Sequence, residues 1–164
     1  PTAVSHAIVG LAAAKAFAPS DAPPRLLWIS AACAALPDLD VLTSWFGVAN
    51  LDLFGHRGFT HSFFFAALNA FFFTALLVRD AGLLSRKWLS CFVFLFLVTA
   101  SHGLLDALTN ARLGVALLAP FDTARYLFPW KPMRPIGLTG FFTERVYGVL
   151  QLEFLWIWLP STII

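Results

Sequence analysis

Four histidines and a few aspartates are the residues of this chain best suited to chemistry, and their spacing groups them. In "SHGLLDALTN", His102 and Asp106 stand at i and i+4, neighbours on one helical face, so a single helix can offer both to one metal ion. In "ALPDLD", Pro37 is expected to end a helix and free carbonyls beside Asp38 and Asp40, whose one-residue gap lets them address adjacent positions. In "LFGHRGFTHSFFF", Gly58 permits a tight bend and Thr60 is placed to cap the following helix. The bend can bring His56 and His61 to a common centre, although five helical residues would set them about 140° apart. His6 opens the first apolar segment. Histidines and carboxylates converging in this way form a hard nitrogen-and-oxygen donor set, suited to Zn, Mn, Fe or Mg rather than Cu(I) or an iron–sulfur cluster. A hydrogen-bonded structural His–Asp cluster and a proton or ion pathway are the competing readings of the same residues.

The elements that must position these groups are apolar helices. Of 164 residues, 59% are hydrophobic and 12% charged, and mean hydropathy is +0.78, which excludes an ordinary soluble domain. A net charge of +2 is too small to imply nucleic acid. Five apolar stretches, about 3–18, 26–37, 61–78, 88–109 and 146–160, predict an all-α polytopic membrane bundle of about five helices forming one domain over 1–164. The second stretch is short or re-entrant, because 12 residues rise only about 18 Å, which puts Asp38 and Asp40 at intramembrane depth. If the five alternate in direction, all four histidines and Asp38, Asp40 and Asp106 lie at one end of the bundle. An ionisable group inside a bilayer needs a partner and points to function by default. Glu153, in "QLEFLWIW", has no histidine in its segment and is expected to be a structural or gating partner, pairing with Arg145. Cys33 and Cys91 lie within apolar runs as small core residues, and the Phe run from Phe63 to Phe73 reads as lipid-facing or core bulk. The first segment lacks a basic region before its apolar stretch, so it is expected to stay in the mature protein.

The connection "LLAPFDTARYLFPWKPMRPIGLTGFF" is stiffened by four prolines and carries Arg125, Lys131 and Arg134 over the same end. Guanidinium forks beside a metal that activates water suit a phosphate ester. In that reading Arg57 and Thr60 are catalytic, Arg125 and Arg134 hold substrate, and Asp38 is the general base. The alternative class is an ion or proton-coupled transporter or channel with a His/Asp site. No His-Glu-x-x-His occurs, which argues against a metalloprotease.

The stretches "ALPDLD", "HRGFTHS", "SHGLLDALT" and "PFDTARYLFPWKPMRPI" resemble a family of bacterial inner-membrane proteins described as predicted metal-dependent hydrolases, over roughly residues 6 to 137. That family is in turn similar to the zinc-dependent phospholipase C and single-strand nuclease superfamily. The resemblance implies a zinc held by Asp40, His61, His102 and Asp106, with His6 on a neighbouring ion and Asp38 and His56 available for a second. The late histidines of the soluble enzymes have no counterpart after His102, so one or two ions are expected rather than three, Zn first and Mn or Mg as alternatives. The implied activity is a phosphoesterase of the bacterial inner membrane acting on a lipid or lipid-linked phosphate. Basic residues nearly balance across the bundle, but the compact turn "RDAGLLSRK" fits the cytoplasm and places the site on the periplasmic side.

Overall fold

A computed structural model describes residues 1–136, 140 and 143–164, and among these every regular element is helical. The helices are α1 Ala3–Phe17, α2 Leu26–Ala35, α3 Phe63–Leu77, α4 Arg86–Ala107, α5 Arg145–Glu153 and α6 Leu159–Ile163. A π-helical turn, Phe154–Trp158, joins α5 to α6 in one continuous rod, so the bundle has five rods, as its apolar stretches predict. Leu26–Phe46, Arg86–Ala107 and Arg145–Ile163 are long and apolar enough to cross a membrane, while Ala3–Phe17 and Phe63–Leu77 are shorter apolar helices.

Side-chain caps set three of the helix starts. The hydroxyls of Thr2, Ser62 and Ser85 accept from the amides of Ser5, Phe65 and Trp88, satisfying donors that the first turns leave free. The cap of α3 is therefore Ser62, not Thr60. Pro37 does not end its helix either. The α-helical part stops at Ala35, but the chain continues as a 3-10 helix, Leu36–Phe46, with Pro37 in its first turn, where a missing N–H breaks no ladder bond.

Helix α1 packs on α2, α3 on α4, and α2 also meets α4. The main core, including Leu26, Cys33, Leu77, Trp88, Cys91 and Leu95, fills the half of the bundle away from the histidines. Two glycines make close approaches that any side chain would block. A Cβ on Gly10 would sit 2.4 Å from the Ser30 carbonyl oxygen, and one on Gly103 would sit 2.5 Å from that of His61. The second contact seats α4 directly on the 3-10 turn Phe59–His61 that carries His61.

The long connection is braced as its prolines suggest. Thr109 pairs with Met133 and Val115 with Tyr126 in isolated bridges, and the Arg125 guanidinium donates to the carbonyls of Asn50, Asp52, His56, Arg57 and Gly114 at 2.7–3.4 Å. Residues 137–139 and 141–142 of that stretch lie outside the described residues.

Candidate metal centre

The end of α2, the start of α3 and the end of α4 deliver their polar residues to one buried point, with the start of α1 beside them. Donor atoms of Asp38, His61, His102 and Asp106 all lie within 4.8 Å of one another. The separations are 3.0 Å between the two Nε2 atoms, 3.5 Å from His102 Nε2 to Asp38, 3.8 Å from His61 Nε2 to Asp38 and 3.6 Å from His61 Nε2 to Asp106. A tetrahedral zinc with bonds of about 2.0–2.1 Å would place its ligand atoms about 3.3 Å apart. These four separations lie within about 0.5 Å of that spacing.

The outer contacts fix which nitrogen faces the centre. His102 Nδ1 lies 2.7 Å from the Ala34 carbonyl oxygen, which can only accept, so Nδ1 carries the proton and a neutral ring presents Nε2 as a lone pair. His61 Nδ1 is held by Asp40 Oδ2 at 3.1 Å, so its Nε2 is a lone pair as well. Two lone pairs 3.0 Å apart repel unless a proton or a cation lies between them.

This geometry sets the two aspartates of "PDLD" on different sides of His61. Asp38 faces the Nε2 atoms as a donor. Asp40 lies behind, receiving His56 Nδ1 at 2.7 Å on one oxygen and the Arg57 amide at 3.2 Å and the Thr60 hydroxyl at 2.6 Å on the other, besides His61. It is placed to orient the His61 ring, in the carboxylate–histidine arrangement typical of metal sites. Asp40, His56 and His61 are also close enough to form a second donor group, which would require His61 to use Nδ1 instead. Thr60 contacts Asp40 and His61 Nδ1 and so serves the same orienting network.

Arg57 is buried and adopts φ 65°, a left-handed conformation that a non-glycine residue enters at a cost. Its Nε lies 3.1 Å from Asp106 Oδ2 and its Nη1 donates to the Thr109 hydroxyl at 2.9 Å. The guanidinium therefore supports Asp106. Arg125 is committed to backbone carbonyls, and Arg134 is exposed near Gly148 of α5, so neither of these two is brought to the buried donors.

His6 stacks on His102 with ring centroids 3.6 Å apart, and its Nε2 is 3.4 Å from Asp106 Oδ1. Both its ring nitrogens are buried without a hydrogen-bond partner, an expensive state unless something else binds them. The Pro1 nitrogen lies 2.6 Å from the same Asp106 oxygen. Asp106 thus divides its oxygens, Oδ2 towards His61 and Arg57 and Oδ1 towards His6. Asp38 and His56, with side chains 16% and 32% exposed, connect the cluster to the outside. The second-layer contacts of Ala34, Thr109 and Gly103 carry no signal in the sequence, since none is a ligand type or part of a recognisable spacing.

Residues 2–164 match the YdjM inner membrane protein family. The chain belongs to this family. A relative, the inner membrane protein YbcI of Escherichia coli (strain K12), is 37% identical over 171 residues, spanning 100% of this chain and 94% of the relative. No solved structure matches the chain. Membership makes this an inner-membrane protein, in keeping with its apolar helices. The YdjM family name gives a location and no reaction.

Proposed function

We propose that this YdjM-family protein is a membrane-bound metal-dependent hydrolase of phosphoesters, acting on a lipid or lipid-linked phosphate. The observation that supports it most is the pair of Nε2 lone pairs at 3.0 Å, each fixed by an outer hydrogen bond and flanked by two carboxylates. Asp38, His61, His102 and Asp106 would hold one divalent ion, zinc by donor type and with Mn or Mg as alternatives. His6 and Asp106 Oδ1 would contribute to a second. Such ions supply Lewis acidity and an activated water. The chain's own residues do the rest. Asp40 keeps the His61 ring in register, Arg57 holds Asp106, and Asp38, the most exposed of the four donors, is placed to take a proton at the mouth of the site. An apolar groove of about 260 Å³ lined by Phe63, Phe96, Leu117 and Phe121 begins two residues from His61 and suits an acyl chain rather than a soluble substrate.

The transporter reading needs polar groups continuing through the bundle. The far half offers Ser30, Asn69, Thr74 and Thr99, all neutral, and Asn69 donates to Thr99, which closes on the Leu95 carbonyl. Among the described residues, the buried ionisable groups other than cysteine stay at the site end, which favours the enzyme.

The test is to purify the protein in detergent, measure bound metal, and assay release of phosphate or phosphorylated headgroup from phosphatidic acid and phosphatidylcholine, with and without a chelator. The expected result is one or two ions per chain and turnover that chelation abolishes. Metal-loaded protein that cleaves neither lipid but conducts ions in liposomes would replace the hydrolase with the transporter. We also place the site on the periplasmic side, because Arg79, Arg86 and Lys87 make a compact basic turn at the opposite end. A reporter fused after Leu84 should report the cytoplasm, and a periplasmic signal would invert the bundle.

A further inference from the structure

Glu153 is fully buried within an apolar helix, where an ionised carboxylate is costly. Arg145 is not its partner. That residue is exposed at the start of α5, and Glu153 is bound instead by neutral donors from the other end of the sequence. Its Oε1 accepts the Thr2 amide at 2.6 Å, and its Oε2 accepts the hydroxyls of Thr2 and Ser5, each at 2.6 Å. Trp158 Nε1–H adds a bond of 2.7 Å to the Ser5 oxygen.

The π turn is what lets one rod make both contacts. In a regular α-helix, residues five apart differ by about 140° in direction. Here the Leu159 amide bonds to the Phe154 carbonyl, an i to i+5 closure that narrows the angle between residues five apart, and Glu153 and Trp158 address Ser5 together.

The next residue after Ser5 is His6. Its ring nitrogens make no hydrogen bond, so its place beside His102 and Asp106 depends on its backbone, and the first turn of α1 is held through Thr2 and Ser5. We infer that Glu153 is the positioning residue of His6, and that the α5–π–α6 rod acts as a clamp setting the His6 imidazole against Asp106. This rests on the metal-site reading, in which His6 and Asp106 serve the second ion. A carboxylate suits the task because both its oxygens only accept and three donors converge on them.

The test uses the full chain in detergent, with two readouts on each variant: zinc titration, and hydrogen exchange of the amides of residues 2–8. Glu153→Ala should lose protection across residues 2–8 and weaken the second ion by about 10–100-fold, the cost of losing an outer-layer contact, while the first ion stays. Glu153→Gln should recover most of both, because its oxygen still accepts the Thr2 amide and the two hydroxyls can turn to accept from its NH₂. Ser5→Ala should shift both readouts in the same direction by a smaller factor, and it carries the test if Glu153→Ala cannot be purified. Wild-type zinc affinity in Glu153→Ala, or in Ser5→Ala where that variant stands in, would overturn the positioning role, as would unchanged protection of residues 2–8. If the wild type binds no zinc, the metal reading falls by itself, and the exchange data alone decide whether the rod holds the start of α1.

Discussion

His102→Ala should abolish binding of the first metal ion. The variant removes one of two imidazole lone pairs and also leaves the Ala34 carbonyl without its donor and His6 without its stacking partner. Loss of an outer-layer contact costs a metal site about 10–100-fold in affinity, and loss of a ligand costs more. Ligand binding to the native state alone stabilises it in proportion to RT ln(1 + [L]/Kd), so zinc at 100 times Kd is worth about 2.7 kcal/mol. Wild-type protein should therefore gain thermal stability on adding zinc and lose it to a chelator, whereas His102→Ala should show a smaller difference between the two, that of the second ion alone, and the double variant none. Combining it with Asp106→Ala should leave no ion at all, since that carboxylate faces both His61 and His6. Elemental analysis is the direct measurement. Unchanged metal content in the double variant would dispose of the site.

Arg57→Ala should be far more damaging than an interfacial cation would suggest. An exposed ion pair contributes about 1 kcal/mol or less. Arg57 is buried, however, with its guanidinium on Asp106, and removing one partner of a buried pair typically costs about 3–5 kcal/mol because the remaining charge is stranded. Backbone strain divides this effect in a measurable way. At φ 65° an alanine keeps the strained conformation while a glycine adopts it freely, so Arg57→Gly should be more stable than Arg57→Ala by about 1 kcal/mol, although both lack the guanidinium. Both should also bind metal more weakly, because Asp106 is no longer aimed by Nε. Denaturation of the two variants in detergent, with zinc titration alongside, checks each part. Arg57→Ala within 1 kcal/mol of wild type and with unaltered metal affinity would show that the ion pair does not organise the site.

How far the site could be read from the chain differs from residue to residue. His102 and Asp106 were legible because helical spacing alone puts them on one face. The convergence of His6, Asp38, His61 and the pair on α4 followed from alternating five apolar rods. The division of labour between Asp38 and Asp40 was not legible, because it depends on local geometry. In a helix of three residues per turn, positions two apart point about 120° away from each other, so one carboxylate meets the Nε2 side of His61 and the other its Nδ1 side. Arg125 was misread for a related reason. A cation in a loop over a site looks available until the backbone carbonyls that surround it are known, and no pattern in the sequence records those. Glu153 lies 151 residues from Thr2, and only the packed rod brings them together.

The lengths of α1 and α3 have a consequence for the surrounding lipid. Each has 15 residues and rises only about 22 Å, against a hydrocarbon core of about 30 Å. A hydrophobic span shorter than the bilayer is matched by thinning of the bilayer around it, at a fraction of a kcal/mol per ångström. Both short helices begin at the histidine end, so the local mismatch draws headgroups inward on the side where Asp38 and His56 open outward. The membrane would then be deformed towards the buried donors, and the host bilayer's thickness would become part of how accessible they are.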